Sequence, residues 1–263
     1  MSEPTLPIQY TLFALLVALS LVIGTMLALE AGRLIGLRRI AAAGESGTIG
    51  LGAVDGAVFG LLGLLIAFTF SGAAARFEAR RALIVEETNN IGTAYRRIDL
   101  LPAAAQAELR DLFRRYLDAR LATYRKLPDI AASDAELVTS LRLQGEIWQR
   151  AVVASEQAGG TASMLFLPAV NAMFDVCTKR TLATWMHPPW IIYAMLFILA
   201  FTGALLAGHG MAAGARNWIY VFAFAVTLGV SFYVILDMEF PRLGIIRVTN
   251  FDRALVELRQ SMK

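Results

Sequence analysis

The chain has 263 residues, 57% of them hydrophobic, with a mean hydropathy of +0.58 and a formal net charge of +3. Soluble domains are closer to about 45–50% apolar, so the composition excludes an ordinary soluble globular enzyme and indicates a membrane protein. Basic residues alternate with acidic ones, which argues against a nucleic-acid surface, and the single cysteine, Cys177, excludes an internal disulfide.

Residues 1–9 carry Glu3, Pro4 and Pro7 and no Lys or Arg, so the basic start of a secretory signal is missing. About 20 apolar residues cross a hydrocarbon core, and residues 10–29 are predicted to form a first span. Glu30, Arg33, Arg38 and Arg39 follow, and the small residues 41–50 are predicted to be a loop. Residues 52–72 form the second predicted span. No Pro interrupts what comes next, so its helix is predicted to run on to about residue 100, with Leu83, Ile84, Ile91, Ala94, Tyr95 and Ile98 as its apolar stripe. Within this stretch lie Glu86, Glu87, Asn89, Asn90 and Thr93. Two readings of that polar cluster stand side by side: bonds across a subunit contact, or a solvated face near Arg80 and Arg97.

Pro102 suits the start of the next helix, whose stripe is Leu109, Leu112, Phe113, Tyr116, Leu117, Leu121 and Tyr124. Arg110, Arg114, Arg115, Arg120 and Arg125 read as a mainly solvated charge run. Residues 128–132 are a predicted turn, and Ser133 with Glu136 has the spacing of a capping box. Gly159-Gly160 ends that helix. Residues 161–185 are apolar again, with Pro168 predicted to open or kink a helix and Cys177 predicted to pack in a core. Trp185 and Trp190 flank a His187-Pro188-Pro189 corner suited to the headgroup level. Residues 191–208 and 218–236 are the third and fourth predicted spans. Asp237 and Glu239 follow, read as capping groups or partners of an Arg from another segment, with a cation site as the alternative, and Asn250 is predicted to cap a final helix over residues 251–262.

The expected organisation is therefore all-α: spans one and two over 1–72, a helical cytoplasmic domain over 73–187, spans three and four over 188–237, and a cytoplasmic tail helix over 238–263. Four spans place both termini and the insert on one side. Arg76, Arg80, Arg81, Lys179, Arg180, Arg242, Arg247 and Arg253 lie near the membrane there, against Arg33, Arg38, Arg39 and Arg216 on the other side. The positive-inside rule makes the first side cytoplasmic. The strong bias for Arg over Lys, with abundant Ala and Gly, fits a GC-rich bacterial gene and hence a bacterial inner membrane. His187 and His209 stand too far apart, without Cys or acid at ligand spacing, for a structural zinc. Neither a metal, a cofactor nor a catalytic constellation is expected.

The second span carries two notable arcs. Gly52, Gly56, Gly60 and Gly63 fall on one, and such a small-residue seam lets another helix approach closely in lipid. Asp55, Phe59, Leu62, Ile66 and Thr69 fall on the other, with Phe70 at its edge. From residues alone this second arc is either a pore lining in a ring of subunits or an ordinary apolar face beside a packing seam.

The stretches 60–102 (GLLGLLIAFTFSGAAARFEARRALIVEETNNIGTAYRRIDLLP) and 236–262 (LDMEFPRLGIIRVTNFDRALVELRQSM) resemble a bacterial family of bestrophin-like membrane proteins. The order of spans resembles bestrophins themselves. That resemblance implies a homo-oligomer, a pentamer in bestrophins, that conducts inorganic ions passively, with anions favoured. Its second span lines the axial pore with apolar and aromatic side chains spaced by four. Leu62, Ile66 and Phe70 have that spacing, Leu64 and Phe68 have it in the neighbouring register, and residues 77–81 resemble the exit. The small residues 71–75 and Asp55 depart from the pattern. The alternative expectation is a non-conducting scaffold or sensor whose cytoplasmic helices bind a partner.

Overall fold

The computed structural model describes residues 5–43 and 52–262. The readings of residues 1–4 and of the predicted loop over 44–50 lie outside the described residues. Among the described residues there are eight α-helices and no strand: α1 (Thr5–Ala43), α2 (Gly52–Arg97), α3 (Ala103–Arg125), α4 (Ile130–Ala158), α5 (Gly160–Trp185), α6 (Trp190–Gly210), α7 (Trp218–Glu239) and α8 (Arg253–Ser261). The 46 residues of α2 make a rod of about 69 Å at the α-helical rise, more than twice the thickness of a hydrocarbon core of about 30 Å. It ends where the chain tightens into a 3-10 turn at Ile98–Leu100 and meets Pro102.

The chain divides into two compact units. One comprises Ile8–Ala75 and His187–Phe240, and the other Arg76–Met186 with the chain from Pro241 onward. The helix α2 contributes its first half to the former, here termed the span unit, and its second half to the latter, the bundle unit.

In the bundle unit α3 packs on α4, α4 on α5, and α8 on α3. Their apolar stripes meet in one core. Ile84 and Ile91 of α2, Ile98 of the 3-10 turn after it, Phe113, Tyr116 and Leu117 of α3, Leu143 and Ile147 of α4, Phe166, Val170 and Met173 of α5, and Leu255 of α8 are all buried in it. Cys177 is buried and free, as its apolar neighbours suggested.

Several local expectations need correction. Helix α1 continues through residues 41–43, because nothing in that Ala-rich stretch stops it. Helix α4 starts at Ile130, ahead of the proposed capping box. Asp129 is its N-cap and accepts from the Ala132 amide at 3.0 Å, while the Ser133 hydroxyl donates to the Thr123 carbonyl at 2.7 Å. Of the two readings of Pro168, the opening one falls away, since it sits inside α5, where a kinking Pro is found. The final helix is preceded by a 3-10 turn at Thr249–Asp252 that contains Asn250, so α8 begins only at Arg253. Gly159 does separate α4 from α5, with φ of 94° in the left-handed region that favours glycine.

Among the described residues, five helical stretches are long and apolar enough to cross a membrane: Tyr10–Ala42, Gly52–Leu100, Gly160–Ala183, Trp190–Gly210 and Trp218–Glu239. The third lies within residues 73–187, which were expected to form a cytoplasmic domain. It belongs to the bundle unit, where one of its faces is buried in the core.

The span unit is held by α1, the first half of α2, α6 and α7. Leu21, Leu62, Leu196, Ala200, Leu228 and Phe232 form its buried centre. Helices α1 and α6 approach so closely that a methyl group added at Gly208 would overlap the Leu29 carbonyl, and one added at Gly32 would overlap that of Leu205. Two glycines facing opposite backbones thus set the separation of these helices. Overpacking a tight contact costs about 1–3 kcal/mol. Gly208→Ala is therefore expected to lower the thermal unfolding midpoint of the detergent-solubilised protein. Gly210→Ala, two residues along the same helix with open space around it, is expected to leave the midpoint unchanged.

Candidate functional site

The helix α2 has three distinct faces within the span unit. The inner one carries Leu62, which is buried against α1, α6 and α7, and Thr69, also buried, whose hydroxyl donates to the Leu65 carbonyl at 2.6 Å. Ile66 packs on the same cluster. Phe59 meets Phe224 edge-to-face at 6.0 Å and lies against Gly203. Asp55 is half-buried on this arc. The structure thus brings Asp55, Phe59, Leu62, Ile66 and Thr69 together, but on the side that faces the chain's own helices. Assigning Leu62 and Thr69 to a pore wall conflicts with this burial, since their side chains already fill the interior of a single chain. Phe70 lies off the arc and is exposed.

The second face is the glycine seam. Side chains placed at Gly52, Gly56, Gly60 or Gly63 would meet nothing within 4 Å. The third face carries Leu61, Leu64 and Phe68, all exposed, Phe68 to 66%. By helical geometry Leu64 lies nearly opposite Leu62, because two residues rotate the side chain by more than half a turn.

In the bundle unit the polar cluster of α2 resolves into separate roles. The carboxylate of Glu87 is fully buried. It accepts from Arg120 Nε at 2.6 Å with one oxygen and from Arg180 with the other. Arg180 reaches on to Asp252 at 2.9 Å, and Arg242 grips both oxygens of Asp252 at 2.7 and 3.0 Å. All three guanidiniums surround the Tyr124 ring, at 5.1 Å for Arg120, 3.7 Å for Arg180 and 4.4 Å for Arg242. A ring face attracts such cations, and the Tyr124 hydroxyl accepts from Arg120 at 2.8 Å. Burial alone would raise the Glu87 carboxyl, but Arg120 and Arg180 hold it down at about 2.

Neither expectation for the cluster fits Glu87, which is neither solvated nor at the surface. Asn90 is likewise engaged inside the chain, donating to the Ala172 carbonyl at 3.2 Å. Glu86 pairs with exposed Lys179 at 3.3 Å, and Asn89 and Thr93 are exposed. Arg120, Arg180, Arg242, Tyr124 and Asp252 were not singled out as a constellation by sequence reasoning. A signal was present: Arg120 follows Tyr116 and Leu117 at helical spacing, Arg180 follows Val176 and Cys177, and Glu87 stands between Ile84 and Ile91. Each is a charge in a core register, and such a charge demands a partner.

Arg80 adds a fourth internal guanidinium. Its Nε and one terminal nitrogen donate to the Ala183 and Met186 carbonyls, each at 3.0 Å. These are carbonyls at the C-terminal end of α5, where a cation also complements the helix dipole. In the span unit Asp237 and Glu239 are fully buried at the end of α7. Glu239 lies 3.4 Å from His187 Nδ1, and the His187 ring stacks on Phe240 at 4.5 Å. No group of three or more His, Cys, Asp or Glu residues placed to hold a metal occurs among the described residues.

Apolar helices of spanning length, together with a helical bundle closed by a returning tail, define the class as a multi-helix membrane protein. The family model for the Bestrophin-like domain matches residues 47–250, and the chain belongs to the bestrophin-like family. No protein of curated function matches the sequence. A leucine-to-threonine variant of a bacterial bestrophin homologue from Klebsiella pneumoniae has a similar fold, with a TM-score of 0.63 at 15% identity over 91% of this chain and 98% of that one. The Klebsiella homologue solved by zinc phasing gives 0.61 at 15% identity, over 95% and 98%. A proline-to-alanine variant of a membrane protein gives 0.61 at 16% identity, over 95% and 98%.

Removing one partner of a buried ion pair costs about 3–5 kcal/mol. Glu87→Gln, which leaves Arg120 and Arg180 facing a neutral amide, is expected to destabilise the full chain by that order in denaturant unfolding. Glu86→Gln, at an exposed pair, is expected to change stability by less than about 1 kcal/mol. Because folding lowers the Glu87 carboxyl from 4.5 to about 2, its contribution is complete above pH 4.5 and is lost as pH falls toward 2. The acid-unfolding curve of Glu87→Gln is expected to lack that component.

Proposed function

We propose that this protein assembles as a ring in a bacterial inner membrane, with α2 of each copy facing a central axis, and conducts inorganic ions passively along it. Four of the apolar helices, α1, α2, α6 and α7, serve as the spans, and the bundle unit and both termini lie in the cytoplasm. The observation that carries this reading is the division of labour on α2. Its inner face is filled by its own chain, its glycine seam is open for a neighbouring helix, and Leu64 and Phe68 stand exposed on the remaining side. The register of the pore wall is therefore Leu64 and Phe68, spaced by four, instead of Leu62, Ile66 and Phe70. Apolar constrictions of this kind gate by dewetting.

This register also removes an obstacle to anion passage. Asp55 shares the inner arc with Leu62, so its charge turns away from the proposed conduit. Family membership supports the reading, because the bestrophins this chain resembles are pentameric channels. A pentamer is the stoichiometry adopted here.

Reconstitution into liposomes tests the proposal. Phe68→Ala is expected to raise chloride flux severalfold over the unmodified protein by widening an apolar neck. Leu62→Ala is expected to leave flux per folded particle unchanged while costing about 2–5 kcal/mol of stability as a core truncation. Absence of flux in both the parent and Phe68→Ala, or a purified particle that is monomeric, would overturn the channel reading.

A further inference from the structure

A second feature of the span unit is separate from α2. The last part of the first predicted span, the end of α6 and the start of α7 enclose a cleft of about 200 Å³. Met26, Leu27 and Val221 give it an apolar wall, and Arg33, Glu30 and Arg216 stand at its rim. Arg216 is fully committed: it pairs with Glu30 and lies 4.0 Å over the Trp218 ring. Arg33 is not. Its Nε is buried and has no hydrogen-bond partner among the described residues. Among the described residues, two guanidiniums against one carboxylate leave the cleft with one uncompensated positive charge, next to apolar side chains in a bilayer-spanning unit. A cation there without a counter-charge is costly.

We propose that this cleft binds the phosphodiester headgroup of an anionic phospholipid, with Arg33 on the phosphate and Met26, Leu27 and Val221 along the first acyl carbons. Charge selects the class of lipid. The only carboxylate lining the cleft among the described residues, Glu30, is held by Arg216, so a headgroup carrying its own ammonium finds no acceptor there, whereas a net-negative headgroup neutralises Arg33. Size and lining select a lipid over a free anion: the space admits a headgroup and not a whole lipid, and an inorganic phosphate would leave the apolar wall unused. Trp218, exposed at the rim, is the side chain expected at the depth of the lipid headgroups. The binding requires only that the span unit lies in a bilayer, and it holds whether or not the assembly conducts ions.

The test uses the full-length protein in detergent, titrated with dioleoyl phosphatidylglycerol or dioleoyl phosphatidylcholine and read by native mass spectrometry. The expected result is retention of phosphatidylglycerol about tenfold more tightly than phosphatidylcholine, the scale of one charge-assisted bond. Arg33→Gln abolishes that preference. Arg38→Gln, which removes an exposed charge from the same helix end, preserves it. Val221→Trp, which fills the apolar side and leaves Arg33 in place, lowers retention of both lipids and serves as the readout should Arg33→Gln fail to fold. Glycerophosphate, which has the headgroup chemistry without acyl chains, does not compete at equal concentration. Three results would each overturn the proposal: an unchanged preference in Arg33→Gln, an equal loss in Arg38→Gln, or effective competition by glycerophosphate.

Discussion

The bundle unit is organised around one carboxylate that has no access to water. Glu87 can be buried because Arg120 and Arg180 each occupy one of its oxygens, and those arginines can be buried because Glu87 is there. The pair geometry fixes the rotation of α2 about its own axis. Turning the helix by one residue would withdraw the carboxylate from both partners and lift Ile84 and Ile91 out of the core. Buried ion pairs contribute little net stability compared with apolar packing. Their value lies in selecting one arrangement among the many that apolar stripes alone would tolerate.

The same helix shows how one periodicity serves two environments. Leu62, Thr69, Ala73, Arg80, Ile84, Glu87, Ile91 and Ala94 are buried along α2, separated by threes, fours and sevens. Two charged side chains, Arg80 and Glu87, enter this otherwise mostly apolar stripe without a change of spacing. This is why α2 reads in the sequence as a single element with no break between residues 52 and 97, although its surroundings differ from end to end.

Much of the fold was legible. The all-helical class, the positions of α3, α6 and α7 and the break at Gly159 all follow from apolar periodicity, Pro and Gly. What the sequence left open was which face of α2 is which. Leu62 and Leu64 are equally greasy, and no local rule says which of two apolar arcs meets the chain's own helices. That depends on the shapes of α1, α6 and α7, including the glycine contact that draws α1 and α6 together. The arginines of the bundle were obscured for a different reason. Arg120 lies among exposed and half-buried arginines of α3, and composition alone cannot separate one fully buried guanidinium from neighbours that reach solvent. Its place in the apolar register can.

The position of Asp252 along the chain carries a consequence for biosynthesis. Its partner Arg180 precedes it by 72 residues, and α6 and α7 lie between them. During synthesis the ribosome must deliver both of those apolar helices before the last anion of the cluster emerges. Until then Arg180 and Arg242 lack that carboxylate, so closure of the bundle unit is a late event that follows translation of α6 and α7. A chain that stops within either helix would thus keep an open, protease-sensitive bundle.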